Sequence, residues 1–306
     1  MLIEIVTQIL IPVFLLIGVG ALVNRFLALD LMTLNRLTFH VLAPGIVFLK
    51  LAETELDAGS LGIVAGFSLI HLLIMMAASW WTFSRQAFRA ERPILVMGAI
   101  FYNAGNYGFP LAQLAFGDFG VSVMAIILAV QIITNFTFGL WLVGVGQGSW
   151  KTILKEVLRV PLIYTIVIAL LVNAFEVTLP APLHLSLKYL GDGLIPVALI
   201  SLGMQLARTR AVGRLPALAA ITVTRLLVSP LLAVVMAAAA APFLPVSFAA
   251  IAPVLVVGLG LPVAVNAYVI AAEYNCQPEF ASQSIFWTTM LSAFTLALWL
   301  AFYQVG

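Results

Sequence analysis

The chain has 306 residues, of which 63% are hydrophobic and only 8% are charged. Soluble domains carry about 25% charged residues, so this composition excludes a water-soluble fold and indicates a membrane protein. The formal net charge of +2 gives no support for nucleic-acid binding, and the single cysteine, Cys276, excludes a disulfide framework or a cysteine-based metal site.

Apolar runs of about 20 residues, each able to cross a hydrocarbon core of about 30 Å, recur along the chain. The first run lacks the basic start of a cleaved signal peptide and is longer than one, so we expect it to be the first transmembrane helix. We therefore predict an all-α polytopic membrane protein with ten transmembrane helices. In chain order, the predicted spans cover residues 3–24, 34–52, 59–84, 94–117, 119–144, 159–177, 186–206, 215–240, 249–273 and 279–304.

Positive charges alternate between the loops that these ten spans define. Four of the five loops on one side are rich in lysine and arginine, and the loops on the other side are poor in them, which is the pattern of the positive-inside rule. The fifth loop, between Glu273 and Glu279, has neither residue and is assigned to the rich side because it is short and the other four agree. The rich loops would be cytoplasmic, so both termini are predicted on the non-cytoplasmic side of the inner (plasma) membrane. The basic residues on the rich side are Arg25, Arg36, Arg85, Arg89, Arg92, Lys151, Lys155, Arg159, Arg208, Arg210 and Arg214.

The prolines mark an internal repeat. Three prolines of the first half each have a counterpart 152 residues later in the second half. Three such matches among 15 prolines are not expected by chance. Each half, residues 1–150 and residues 151–306, then holds five spans, and because five is odd the second copy enters the membrane from the opposite side. Such inverted repeats are typical of secondary transporters. The matched pairs are Pro44 with Pro196, Pro93 with Pro245, and Pro110 with Pro262.

Predicted spans 4 and 9 carry helix-breaking residues near their centres. Asn103, Asn106 and Pro110 lie with two glycines in span 4, and Pro262 and Asn266 follow two glycines in span 9. Proline removes a backbone donor and glycine lowers the steric cost of unwinding, so we predict that both helices are broken and form one buried polar site. The N-terminal ends of the half-helices would favour an anion there. The alternative is that these kinks serve packing alone.

Polar side chains in other spans are further candidates for this site. Arg225 lies inside span 8, where a charge is costly, and could attract a substrate carboxylate or form a structural pair. Gln131 and Asn135 are four residues apart on one face of span 5 and could line the cavity or bond between helices. Tyr107 could form part of an aromatic wall or serve packing. The same alternatives apply to His71, Ser201, Gln205 and Tyr268, with hydrogen bonding or packing favoured.

Three segments resemble the auxin efflux carrier family, and the resemblance covers essentially the whole chain. They are NAGNYGFP at residues 103–110, LPVAVNAYVIA at residues 261–271 and IPVALISLGMQLA at residues 195–207. The resemblance implies a fold like that of bile acid sodium symporters, with crossed broken helices. It also implies a scaffold of spans 1, 2, 6 and 7, often dimeric, and a moving unit of spans 3–5 and 8–10 that carries substrate in an elevator-like movement. The long cytoplasmic loop of many plant auxin exporters is absent here, where only residues 144–160 separate the halves.

These features predict a secondary active transporter of small organic anions, such as malate, malonate or auxin-like acids, with the lipid bilayer and a second copy of the chain as partners. A passive anion channel and a sodium-coupled symporter are the alternatives. No catalytic or zinc-binding pattern is present, so neither an enzyme nor a cofactor is predicted, and coupling to Na⁺ or H⁺ is left open. The predicted substrate-binding residues are Asn103, Asn106, Tyr107, Pro110, Gln131, Asn135, Arg225, Pro262 and Asn266.

Overall fold

The computed structural model describes residues 2–27, 29–145, 155, 158–210 and 213–303. Within these residues the chain is helical apart from turns, short connections and one isolated bridge between two extended segments. In chain order the helices are α1 (Leu2–Phe26), α2 (Leu31–Ala52), α3 (Ala58–Thr82), α4 (Arg92–Ile100), α5 (Ala104–Val143), α6 (Pro161–Ala174), α7 (Ala181–Ala207), α8 (Leu215–Phe243), α9 (Phe248–Leu259), α10 (Val265–Glu273) and α11 (Pro278–Phe302).

The helices confirm a multi-pass α-helical membrane protein. Seven helices of the described chain are long and apolar enough to cross a membrane, namely α1, α2, α3, α5, α7, α8 and α11. Predicted span 6 corresponds to the 14-residue helix α6, and predicted spans 4 and 9 are each divided between two helices. The count of ten spans and the inverted repeat stay predictions. The boundary at residues 150 and 151, and with it Lys151, lies outside the described residues.

Helix α5 bends sharply at Gly117, between predicted spans 4 and 5. Gly117 has φ +62° and ψ −150°, a backbone conformation that glycine adopts at little cost and other residues rarely adopt. On either side of the bend, a Cβ atom added to Gly108 would lie 3.1 Å from the sulfur of Met124. Since residues before and after the bend contact each other, the two arms of α5 fold back on one another.

Helices α1 and α7 pack against each other with their backbones in direct contact. A Cβ atom added to Gly203 would lie 1.9 Å from the carbonyl oxygen of Ile17, and one added to Gly20 would lie 2.1 Å from that of Ile200. Small residues that allow backbones to approach are the usual means of helix association in membranes, because lipid tails are as apolar as the side chains. The two glycines therefore set the distance between these helices.

The outer surface is apolar, as a bilayer requires. Side chains such as Ile3 and Phe294 are 78% and 71% exposed, and lipid tails would cover them. At the membrane boundary, acidic side chains cap helix starts instead. Hydrogen bonds from Thr33 to Asp30, at the start of α2, and from Ser60 to Asp57, at the start of α3, hold the pKa of both carboxyl groups below the ordinary range.

Candidate functional site

Two interrupted helices meet inside the protein. Residues 101–103 separate α4 from α5, and residues 260–264 separate α9 from α10. The two extended segments run antiparallel and form a bridge centred on Tyr102 and Val263. We call these two segments the crossing. All of its residues are buried, so its backbone groups must find partners within the protein.

The backbone groups of the crossing satisfy each other. The amide of Asn103 donates to the carbonyl of Pro262 at 2.8 Å, and the amide of Ala264 donates to the carbonyl of Phe101 at 3.0 Å. From α11, the hydroxyl of Thr288 accepts a hydrogen bond from the amide of Val263 at 3.1 Å. The crossing therefore joins the first and second halves of the chain through their backbones.

Side chains next to the crossing explain why the first helix breaks there. The side-chain oxygen of Asn103 accepts a hydrogen bond from the amide of Asn106 at 3.2 Å and so caps the start of α5. A Cβ atom added to Gly105 would lie 2.7 Å from the ring of Phe39, so glycine lets α2 approach this turn closely. Pro262 lies in the crossing itself, whereas Pro110 lies in the helical part of α5, beyond the break.

Arg225 links the two helices that end at the crossing. Its side chain is 0% exposed, and its guanidinium group donates to the carbonyl of Ala99 at 2.7 Å, to the carbonyl of Leu259 and to the hydroxyl of Ser229. Both carbonyls belong to the last turns of α4 and α9, where helix dipoles concentrate partial negative charge. The ring of Tyr102 lies 5.0 Å from the guanidinium carbon. These contacts show that Arg225 holds the two helix ends together. Arg225 does not line the cavity described below.

His71 belongs to the same buried network. Its Nε2 atom lies 3.0 Å from the carbonyl oxygen of Ser229, whose hydroxyl donates to the carbonyl of Leu259 at 2.7 Å. His71 is therefore a hydrogen-bonded interior histidine, the alternative that the sequence analysis favours for it.

A cavity of about 950 Å³ opens beside the crossing. Its walls come from α2, α3, α5, α6 and α10, together with the residues just before α6, and are mostly apolar and aromatic. Two of the predicted binding residues, Asn135 on α5 and Asn266 on α10, line it. Asn135 is only 3% exposed, and neither its amide nitrogen nor its oxygen has a partner among the described residues. No side chain caps the start of α10, where Asn266 is the second residue.

Other buried amides near the crossing also lack partners in the described part of the chain. They are the side-chain nitrogen of Asn103, both polar side-chain atoms of Asn106 and the side-chain nitrogen of Gln131. An unsatisfied buried polar group costs about 1–3 kcal/mol, so a group of them in a membrane interior points to a ligand or water. Amide groups can donate to an anion as well as accept from a cation.

The remaining predicted residues lie elsewhere. Tyr107 is fully buried, with its hydroxyl 3.3 Å from that of Ser292 and its ring edge-on to Phe14. Tyr268 is 38% exposed, and neither tyrosine lines the cavity. The buried residues Ser201 and Gln205 on α7 each have a side-chain oxygen without a partner in the described chain.

The cavity also contains residues that were not predicted for the site, namely His40, Arg159 and Glu273. His40 lies in a π-helical turn of α2, at Thr38–Leu42. The signal that could have drawn attention to it is Pro44, which has no amide hydrogen for the carbonyl four residues earlier, that of His40.

Comparison with known proteins places this architecture among transporters. A protein of Methanothermobacter thermautotrophicus named "Uncharacterized transporter" is 27% identical over 279 residues, which cover 88% of each chain. The "Putative malonate transporter" of Rhizobium meliloti is 24% identical over 304 residues, which cover 95% of this chain and 93% of the relative. Another "Uncharacterized transporter", from Methanocaldococcus jannaschii, is 23% identical over 277 residues, which cover 87% of each chain.

The sequence model of a family described as "Membrane transport protein" matches residues 147–300, half of the chain. This match agrees with the buried crossing, the cavity beside it and the multi-pass fold. The chain belongs to the membrane transport protein family, which is the auxin efflux carrier family.

Proposed function

We propose that this protein is a secondary active carrier of small organic anions, with mono- and dicarboxylates as the substrate class. The observation that carries this proposal is the meeting of two donor groups in one cavity. Asn266, the second residue of the uncapped helix α10, and Asn135, whose amide has no partner among the described residues, both line this cavity. Backbone N–H groups at a helix start, the positive end of the helix dipole, favour a carboxylate.

The distribution of charge in the cavity supports an anion rather than a cation. Its acidic lining residue, Glu273, ends α10, roughly 12 Å along the helix from Val265 at the start. The end of the cavity beside the crossing therefore offers donors without a nearby carboxylate among the described lining residues. An organic anion fits that end, and the apolar walls fit its carbon skeleton.

We further propose that the ten spans form two inverted repeats, residues 1–150 and 151–306, that work by alternating access. In this proposal α1, α2, α6 and α7 form the scaffold, while α3–α5 and α8–α11 move. The cavity lies between α2 and α6 on one side and α5 and α10 on the other, which is the boundary between the two units.

Hydrogen bonds within each proposed unit support this division. In the moving unit, Arg214 before α8 pairs with Glu91 before α4 at 2.8 Å, and Gln277 before α11 donates to the carbonyl of Ala90 at 2.8 Å. In the scaffold, Asn173 on α6 donates to the carbonyl of Ala52 at the end of α2, at 3.0 Å. Parts of the chain that lie far apart in sequence are thus joined within each unit.

The proposed state of the carrier follows from where the cavity opens. Two lining residues, Arg159 just before α6 and Glu273 at the end of α10, are exposed and lie on the side that is predicted to be cytoplasmic. On the other side, Lys50 at the end of α2 lies 2.7 Å from Asp118 after the bend of α5. We propose that this is the inward-open arrangement in the plasma membrane.

Counterflow in proteoliposomes tests the proposal. Labelled malonate, malate and indole-3-acetate would be compared, because one relative carries the name of a malonate transporter. We expect saturable uptake with counterflow, and separately imposed sodium, proton and voltage gradients would identify the driving force. Flux that never saturates would instead indicate a channel, and no flux with any of the three acids would refute the proposed substrate class.

The variant Asn135→Ala tests the site. Loss of one hydrogen bond to a charged ligand predicts a binding constant weaker by roughly 10- to 100-fold, with an unchanged melting temperature. The matched control is Ser186→Ala, since the exposed hydroxyl of Ser186 donates only to the carbonyl of Pro182 in its own helix. Wild-type affinity in Asn135→Ala would place the substrate elsewhere.

A further inference from the structure

We propose that His40 is a carboxylate-binding residue of the cavity and that its protonation sets the affinity of the cavity for anions. The inference rests on the proposed anion transport and adds a pH-sensitive residue to the same site. It is carried by the position of His40, by the hydrogen bond of its ring and by the charges around the cavity.

His40 lies in the part of α2 that approaches the start of α5, and its side chain is exposed. Its neighbour Phe39 lies against Gly105, in the first turn of α5 after the break. His40 itself lines the cavity from α2, while Asn135 and Asn266 line it from α5 and α10. A carboxylate bound at the start of α10 would therefore have His40 on a different wall of the same space.

The ring of His40 is oriented so that one nitrogen remains basic. Its Nδ1 atom lies 3.1 Å from the carbonyl oxygen of Arg36. A carbonyl can only accept, so Nδ1 carries the hydrogen of the neutral ring and Nε2 holds the lone pair. Within the described chain, no hydrogen bond or ion pair occupies Nε2. His71 differs, because its Nε2 lies against Ser229 in the buried network.

The charges near the cavity nearly balance, so the protonation state of His40 changes the net charge of the cavity. Among described lining residues, Arg159 is a permanent cation, Glu273 an anion and Tyr274 a weak acid, while the lining residues of α3, α5 and α6 are uncharged. The other charged side chains on α2 are Arg36 and Lys50, and α7, which packs against this part of α2, carries Lys188 and Asp192, whose charged groups lie 2.8 Å apart. Formal charges of Arg159 and Glu273 cancel, so protonation of His40 decides whether the described cavity is neutral or positive.

The proton balance is simple. A proton from the water in the cavity binds Nε2, and the resulting N–H group donates to the carboxylate, so one proton and one anion are held together. An imidazole binds its proton at a higher pH than a carboxylate does, so there is a pH range in which both partners are charged. Affinity should rise as the pH falls through that range. Because His40 stands on the proposed scaffold, it acts only while this side of the cavity is open.

The first test is equilibrium binding of malonate, malate and indole-3-acetate to the purified full chain at pH 5.5 and pH 8.0. We expect binding roughly tenfold tighter at pH 5.5, which corresponds to one charge-assisted hydrogen bond. His40→Gln should bind weakly at both pH values and His40→Lys tightly at both. The control His184→Gln should behave as wild type, since His184 is exposed and lies 3.1 Å from Glu53. A pH dependence that persists in His40→Gln would overturn the inference while leaving anion transport intact.

A second test needs no transported substrate. Diethyl pyrocarbonate modifies accessible neutral imidazoles, and mass spectrometry reports each histidine separately. With acetate as the carboxylate probe, we expect protection of His40 relative to equal chloride, no protection of His184 and no reaction of the buried His71. Equal protection of His40 and His184, or none, would refute the role of His40 even if all three acids failed to bind.

Discussion

The partners of the buried Arg225 are carbonyl oxygens and a hydroxyl group rather than a carboxylate. Its charge is stabilised by the C-terminal ends of α4 and α9, which carry partial negative charge. One cation therefore compensates the partial negative charge of two helix ends inside the membrane. A planar guanidinium group suits this task, because it presents several donors in fixed directions.

Replacement of this residue should destabilise the protein. Arg225→Met leaves the carbonyl of Ala99 buried without the guanidinium donor and the carbonyl of Leu259 with only the hydroxyl of Ser229, which predicts a loss of roughly 2–5 kcal/mol. A lower midpoint of thermal unfolding in detergent would be the observable. The unfolding midpoint of Arg225→Lys should lie between those of the wild type and Arg225→Met, since an ammonium group cannot reach both carbonyls as the guanidinium group does. Lys188→Ala, at an exposed pair, should melt as wild type, and a wild-type midpoint for Arg225→Met would contradict the role described here.

Single residues show how far the sequence alone could reach. Helix-breaking composition predicted both interruptions, because glycine and proline act through the local backbone. It did not predict that Pro110 would lie in a helix. Helix α5 begins with a π-helical turn at Ala104–Gly108, and Pro110 is the second residue of the α-helix that follows, where a proline costs little. Nor could it distinguish Asn135, which faces the cavity, from Gln131, which does not line it. That choice depends on helix rotation, which packing between distant segments decides.

At the scale of helices, the contact between α1 and α7 is set by backbone distance. Gly203→Ala would place a methyl group against the carbonyl of Ile17, so the helices must separate. We expect a loss of about 1–3 kcal/mol from such overpacking, measured as a lower melting midpoint. Gly18→Ala is the matched control on α1, because a Cβ atom there meets nothing within 4 Å. Gly18→Ala should leave the melting midpoint unchanged or raise it slightly. Equal midpoints for Gly18→Ala and Gly203→Ala would show that the contact between α1 and α7 is dispensable.

The elements themselves were predicted to different degrees. Apolar runs are sufficient to locate the long helices, because a bilayer imposes one length on every span. The fold-back at Gly117 was predicted as a boundary near residue 118, and the structure places a bend there. The short helices α4, α9 and α10 were not predicted individually, because hydropathy does not show where the backbone hydrogen bonds of a helix end within an apolar run.

At the scale of the whole molecule, an ion pair joins the two proposed units on the side opposite Arg159 and Glu273. Lys50 and Asp118 join α2 to α5, and the hydroxyl of Ser122 donates to the carbonyl of Lys50 at 2.9 Å. These contacts cross the boundary between the proposed scaffold and moving unit. In the proposed alternating access, they would have to break whenever the protein opens to the other side.

Asp118→Asn should therefore make the other side more accessible. Asp118 is 66% exposed, so solvent limits the pair to at most about 1 kcal/mol and the population change to at most about fivefold. The measurement is the rate of thiol labelling of Ser122→Cys in a Cys276→Ser background, which should rise by up to that factor. About 1 M salt should remove the difference, because it screens exposed charges. An unchanged rate would mean that this pair does not hold the closed side.

The crossing also has a consequence for the order in which the protein is made. Its bridge joins Tyr102 to Val263, about 160 residues apart, and at about 5–20 residues per second the first segment waits roughly 8–30 s for its partner. During that time the amide of Asn103 and the carbonyl of Phe101 lack the partners that the second segment supplies, in a solvent without water. The first half therefore cannot satisfy these backbone groups by itself in lipid. The crossing forms only after the second half, up to α10, has been inserted.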